Sequence, residues 1–472
     1  MIKKMLRSRR AGLALLPALL LAGCALTPTP RPELPQPAAW QAPLPHGGSE
    51  ARLREWWAQF DDPLLDALIR AAESANPGLQ QAVARIAQAR ASAAGAGSAG
   101  LPQLTANGAA TRSRAAVPSS EGPRSIASLG LDASWELDLF SRVRLQSQAA
   151  SERAVASGLD WHQAKISLAA EVAQSYLSLR SCERLVDIIE RDGQALTRIA
   201  GYAQDKTKVG LEAPAAAALL QAAAADAASR ALAQRADCDI EIKSLVALTV
   251  LDEPALRQRL AEGRARLPQS ARFAVPVLPA ALLAQRPDLA ASERQVLAAW
   301  AERGAAEAER YPQLRLAGSI SRGALRAGGL RDDGEGWSFG PTLSLPLLDG
   351  GLRRANVDAA QARYEEALAG HKAQLLAAVR EVEQALVRLD AAEAREGHAL
   401  ASARGYDESF NATQARWQRG LAGAAELEES RRLALNAQAS LVQVQRERQS
   451  AWVALYKASG GGWQVGVANR DE

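Results

Sequence analysis

Aromatic residues make up only 4% of the 472-residue chain, fewer than thick globular cores usually carry. A chain this long would ordinarily suggest about three compact domains. The scarcity of large rings argues against that, and so do alanine-filled stretches such as APAAAALLQAAAADAASRALAQ. Alanine-rich periodic sequence is what long, closely packed helices use. Histidine is also sparse. His46, His162, His371 and His398 stand far apart without metal-ligand spacing, and His162 and His371 fall in helical runs. No catalytic constellation, metal site or cofactor site is read from them. The glycine-rich stretches GGLRDDGEG and GGG (460–462) lack the Lys-Ser/Thr of a phosphate loop. Asp332, Asp333 and Glu335 are read as a solvated external turn rather than a cation site.

An excess of one charge is missing too. The formal net charge is +4, but Lys3, Lys4, Arg7, Arg9 and Arg10 lie in the first 23 residues, and taking those five away leaves −1. The basic character belongs to the leader and gives no reason to expect a nucleic-acid partner. The chain's most apolar run, AGLALLPALLLA, is too short to span a bilayer and contains Pro17. Behind its basic flank it reads as a signal peptide over residues 1–23. It ends in LAGC, which resembles the lipobox of bacterial lipoproteins and makes Cys24 the expected lipidated first residue; an ordinary cleavage site is the alternative. In that resemblance Ala25, in place of an Asp, implies transfer to the outer membrane. Residues 24–50 are proline-rich and read as an extended tether.

What the chain does have is a duplication. LPQL at 101–104 returns as YPQL at 311–314, an offset of 210. At that same offset Pro77 pairs with Pro287, Leu79 with Leu289, Leu137 with Leu347, Glu171-Val172 with Glu381-Val382, Gln174 with Gln384, and Gly210-Leu211 with Gly420-Leu421. A constant ungapped offset implies tandem duplication, with a period too long for a solenoid. The first repeat spans 51–250, an inter-repeat linker 251–285, the second repeat 286–463, and a tail 464–472.

Each repeat has the same grammar. A helix opens at Asn-Pro or Arg-Pro and stops at Pro-Gln-Leu. A β-hairpin follows, about 103–140 in the first repeat and about 313–349 in the second, with VPSSEGP and RAGGLRDDGEG between the strands. Then come proline-free helical runs, Arg142 to Lys208 and Leu352 to Arg419. The first corresponds to about 100 Å of helix. Val357, Ala360, Tyr364, Leu368, Leu375, Val379, Val382, Leu386 and Leu389 step by three and four, as in a coiled coil, with His371 in the seam. The runs break at glycine, giving tips about 208–214 and about 419–424. Four strands cannot close a barrel and leave two open edges. Several copies sharing one barrel and one tube resolve that.

The residues 56–91, WWAQFDDPLLDALIRAAESANPGLQQAVARIAQARA, resemble the outer membrane factor family, of which TolC is the familiar member. So do RPDLAASERQVLAA, YPQL, LSLPLLDGGLRRANVDAAQARYEEA and ALYKASGGGW; the likeness covers roughly 50–463, in family order and spacing. With the lipobox, the chain is similar to the lipoprotein (NodT-type) branch serving resistance–nodulation–division efflux pumps. The resemblance implies a mainly α fold with a small β part: a homotrimer in which four strands per chain build a transmembrane β-barrel, continued by a coiled-coil α-barrel across the periplasm. It implies no enzyme, but a passive duct for small molecules such as drugs, localised in the outer membrane and contacting its lipid. The partners implied are a periplasmic adaptor (membrane fusion protein) and an inner-membrane transporter. Val209, Gly210, Leu211, Gly420 and Leu421 sit where the family meets its adaptor, though they also read simply as turns. Glu426 and Glu429, three apart on one helix face, resemble the paired carboxylates, usually Asp, of the family's periplasmic constriction. An ordinary acidic face paired with Arg431 or Arg432 is the alternative, and Glu428 is read as solvated. Protein secretion, or a non-channel periplasmic scaffold, are the rival functions.

Two further cysteines remain. Cys182 lies 28 residues before Gly210 and Cys238 lies 28 after it, so antiparallel helices folding back there place them at equal height. The periplasm is oxidising, so a Cys182–Cys238 disulfide is expected; two buried free thiols are the alternative. Helix axes usually sit about 8–10 Å apart, so the bond needs an alanine-type close contact.

Overall fold

A computed structural model describes residues 56–114, 123–268, 283, 286–327 and 330–461. After a short 3₁₀ turn, Trp57–Phe60, the elements are α1 (Pro63–Ala75), α2 (Pro77–Ser98), β1 (Gln103–Ser113), β2 (Arg124–Leu137), α3 (Arg142–Lys208), α4 (Pro214–Thr249), α5 (Glu253–Ala261), α6 (Pro287–Ala308), β3 (Gln313–Ala327), β4 (Leu330–Ser344), α7 (Leu352–Gln418) and α8 (Ala424–Ala458). The fold is mainly α with one small antiparallel sheet.

Local chemistry explains the boundaries. Asp62 caps α1, its carboxylate accepting from the Leu64 and Leu65 N–H groups at 3.0 and 3.2 Å, with Pro63 at the first helical position. Asp138 accepts from the N–H groups of Val143 and Arg144 at the start of α3. Asp349 does the same for Gly351 and Arg353 at the start of α7. At the other end of α3, Gly210 stands at φ +78°, its N–H on the Thr207 carbonyl and that of Leu211 on the Lys206 carbonyl. At the end of α7, Gly420 stands at φ +74°, with matching bonds to Trp417 and Arg416. Both are Schellman caps, which need a left-handed residue that glycine supplies without a Cβ penalty.

The described residues fall into two compact units, and each unit draws on both sequence repeats. One comprises 84–158 and 291–372. It holds the sheet, in meander order β1-β2-β3-β4 with β1 and β4 as edges, and a small core of Leu145, Ala149, Ala298, Ala301 and Ala305. The other comprises residues up to 83, 159–290 and 373 onward. Its main core pools the scarce aromatics: Trp56 meets Trp452 at 5.9 Å and Tyr456 at 5.7 Å between ring centroids, and Trp452 is fully buried. Burial pushes the Tyr456 phenol up to about 12.

Two stretches differ from the sequence expectation. Within the linker, Glu253–Ala261 is helical. The turn after it is clasped by Arg180, fully buried on α3, whose guanidinium donates to the Leu260 and Glu262 carbonyls at 2.9 and 3.1 Å. In the second hairpin most of RAGGLRDDGEG is strand, so Asp332, Asp333 and Glu335 belong to β4 and not to a turn. Pairing runs out to Ala327↔Leu330 and is supported by Arg322, which faces Asp333 and Glu335 across the strands at 3.4 and 3.5 Å. At its other end β4 stops at Ser344.

Candidate channel wall and helix tips

The register divides the sheet into two faces, because alternate residues point to opposite sides. One face carries Leu104 and Ala106 of β1, Leu129, Leu131 and Trp135 of β2, Leu314, Leu316 and Ile320 of β3, and Trp337, Phe339 and Leu343 of β4. The opposite face carries Thr105 and Asn107, Asp132 and Glu136, Arg315 and Ser319, Ser338 and Thr342. Its polar groups bond across strands: Asn107 to Asp132, Ser319 to Ser338 at 2.8 Å, and Arg315 to Glu136 at 3.5 Å. The apolar face is open, with Trp337 82% and Phe339 75% exposed. A contiguous apolar face of this size in water would be an aggregation liability, whereas in lipid it is satisfied. Among the described residues no helix is long and apolar enough to cross a membrane.

The tips lie in the other unit. Val209, Leu211 and Leu421 are exposed around the two cap glycines. Just behind them Ile199, Ala203, Leu220, Trp417, Ala424 and Leu427 join the two helical hairpins in one buried cluster, and the Lys206 ammonium lies 4.8 Å from the Trp417 ring centre. Cys182 and Cys238 are joined, with sulfurs 2.10 Å and Cα atoms 5.6 Å apart. Ala227 and Ala231, buried along α4, give that hairpin the small-residue packing a close approach needs. Cys24 and His46 lie outside the described residues. Among the described residues no group of three or more His, Cys, Asp or Glu could hold a metal ion.

Glu426 and Glu429 are both exposed in the first turns of α8. Each has an arginine partner. Glu426 accepts from Arg416 of α7 at 2.6 Å, and Glu429 takes a two-pronged contact from Arg432 at 2.9 Å. Glu428 is not solvated as expected: it bonds Arg431 at 2.5 Å, and Arg431, 4% exposed, also reaches Asp192 of α3. Burial pushes the Asp192 carboxyl up, with Arg431 opposing. Glu428 and Arg431 are three apart, so their pairing carried an i,i+3 signal. Asp192 is distant in sequence and carried none, and neither did Arg416.

A sheet apolar on one side and polar on the other, joined in sequence to 67-residue helices that turn back at glycine caps, defines a channel wall of the outer-membrane type. The chain belongs to the outer membrane efflux protein family, whose profile matches residues 68–249 and 278–461. It is 31% identical to outer membrane protein OprJ of Pseudomonas aeruginosa over 465 residues, 96% of each chain. It is 30% identical to the pyoverdine export outer membrane protein OpmQ of the same organism, over 96% of this chain and 98% of that one. The solved outer-membrane channel OprN superposes with a TM-score of 0.83 at 26% identity, covering 94% of this chain and 100% of that one. This protein is therefore an outer-membrane channel component of an efflux system.

Proposed function

We propose that three copies join β4 of one to β1 of the next, closing a twelve-stranded barrel through the outer membrane, and that their helices form the periplasmic duct of a tripartite pump. The observation that carries this is the two-faced sheet with two open edges. Neither the open apolar face nor the unpaired edges suit a lone chain. Transport needs no chemistry in this chain, because the inner-membrane transporter supplies the energy. The exposed tips Val209-Gly210-Leu211 and Gly420-Leu421 meet the adaptor; their cap glycines, at φ +78° and +74°, present no side chain to an approaching hairpin. Glu426 and Glu429, with their arginines, line the constriction. Small molecules are the cargo, a reading supported by the export named for the relative OpmQ.

The repeats 51–250 and 286–463 are the units of duplication, and Cys24 is the lipidated first residue of the mature chain, as in the lipoprotein branch. Two or more acyl chains anchor firmly where one holds marginally. Mass spectrometry of the N-terminal peptide tests this, and an unmodified Cys24 would reject it. The channel itself is tested by mass measurement in detergent and recording in planar bilayers. Three copies and discrete conductance steps are expected. A stable monomer that conducts nothing would instead favour the periplasmic scaffold.

A further inference from the structure

Beyond its apolar band the outward face of the sheet changes character. In the next pairing row Arg322 opposes Glu335; two rows further Arg326 opposes Arg331, with Arg112 of β1 in the same row across Ser125. All three of these outer arginines, Arg112, Arg326 and Arg331, are exposed. None makes an ion pair with another described residue, while the carboxylates nearest on this face, Asp333 and Glu335, are engaged by Arg322. Directly opposed like charges sit with Cβ atoms about 5 Å apart and repel. A sheet that places two guanidiniums so invites an anion between them. Arg322, Arg326 and Arg331 border a shallow groove of about 510 Å³ whose lining includes Ala127, Leu129 and Ala324 together with the carboxylates Asp332 and Asp333, the latter held by Arg322 at 3.4 Å. With Arg322 taken up by Asp333 and Glu335, Arg326 and Arg331 are the cations left at the groove's edge, beside apolar residues, which suits a ligand that is anionic at one end and continuous with acyl chains at the other.

We propose that Arg326 and Arg331, with Arg112 beside them, bind the phosphates of a glycolipid headgroup in the leaflet that surrounds this end of the barrel. The inference rests on the membrane reading above. These arginines flank the strand ends that connect to one another, away from the ends that lead into helices, so they belong to the outer leaflet. Height selects the headgroup. Arg331 is six residues beyond Trp337 on β4, about 20 Å along a strand and about 15 Å along the membrane normal at the usual barrel tilt. A small phospholipid headgroup ends well below that level, whereas a phosphorylated saccharide reaches it. Arginine grips phosphate through two parallel N–H bonds, which a lysine cannot reproduce.

The test is binding of fluorescent lipopolysaccharide to the full-length protein purified in detergent. Wild type is expected to bind, Arg326→Gln/Arg331→Gln to bind about tenfold more weakly or worse, and Arg326→Lys/Arg331→Lys to fall between. Phosphatase-treated lipopolysaccharide should bind wild type as poorly as intact lipopolysaccharide binds the Gln variant. Phosphatidylglycerol vesicles at equal phosphate should not compete. Equal binding by wild type and the Gln variant, or by the dephosphorylated probe, overturns the proposal. Full competition by phosphatidylglycerol overturns the glycolipid assignment in favour of a plain anionic surface. Conductance is recorded on the same preparations. A wild type that forms no channel defeats the membrane reading, whereas a conducting protein that does not discriminate the probes defeats only this inference.

Discussion

At the scale of single residues, the unit with the aromatic core is pinned by buried arginines that each reach more than one element. Arg286, 4% exposed just before α6, donates to Asp288 at 3.0 and 2.7 Å, to Glu381 of α7 at 2.9 Å and to the Ala458 carbonyl at the end of α8 at 3.0 Å. Burial alone would raise the Asp288 carboxyl; bonds from Arg286, Gln374 and the Leu289 N–H outweigh it and hold the group below the usual carboxylate range. A depressed folded value means stability present above about pH 3.8 and lost as pH falls through the folded value. Asp288→Asn is therefore expected to destabilise the fold, by on the order of 3–5 kcal/mol at pH 7, and so to lower the unfolding midpoint in detergent. The gap to wild type should stay constant down to about pH 5 and close only in stronger acid. A gap that narrows near neutrality would assign the effect to some other group. Of this network the sequence displayed only Arg-Pro-Asp at a helix start. Partners 95 and 172 residues away leave no local trace, because burial and not spacing selects them.

Elements were the most readable level. Strand alternation, the proline-free runs and the duplicated glycines are local signals, and the long helices end at Lys208 and Gln418, beside those glycines. RAGGLRDDGEG has the composition of a loop, yet from Leu330 onward it is strand. Charged residues can continue a strand when cross-strand partners neutralise them, and Arg322 does so for Asp333 and Glu335. The helix Glu253–Ala261 leaves little trace in the sequence for a related reason: it is short and its anchorage by Arg180 is tertiary. The hairpin of α3 and α4 carries its own testable claim. A bond between Cys182 and Cys238, 56 residues apart, restricts the unfolded chain by about 4 kcal/mol at most in the loop-entropy account. Non-reducing peptide mapping should recover the linked pair, and reduction or Cys238→Ser should lower the thermal midpoint. Free thiols at both positions in protein isolated from the outer membrane would reject the bond.

At the scale of the whole assembly, Glu426 and Glu429 change meaning once their arginines are considered. Their three-residue spacing was visible in the sequence; the bond from Arg416 was not, because it crosses from α7 to α8 around the tip. In the proposed trimer, three copies around one axis would bring six carboxylates and six guanidiniums together, so the proposed constriction would be a ring of ion pairs rather than bare negative charge. Exposed pairs of this kind contribute little to stability, about 0–1 kcal/mol each. Their effect on permeating ions is larger, because charge rings set pore selectivity. At such a constriction, replacing both glutamates with alanine would do two things: widen the aperture, and leave Arg416 and Arg432 without these partners. Glu426→Ala/Glu429→Ala is expected to raise single-channel conductance, to abolish block by multivalent cations, and to shift the reversal potential in a salt gradient toward anions. Arg416→Ala is expected to act oppositely, strengthening cation block by freeing Glu426. Planar-bilayer recordings of the two variants decide the matter. If both conduct, select and are blocked as wild type, the pore narrows elsewhere and these carboxylates are no more than a solvated helix face.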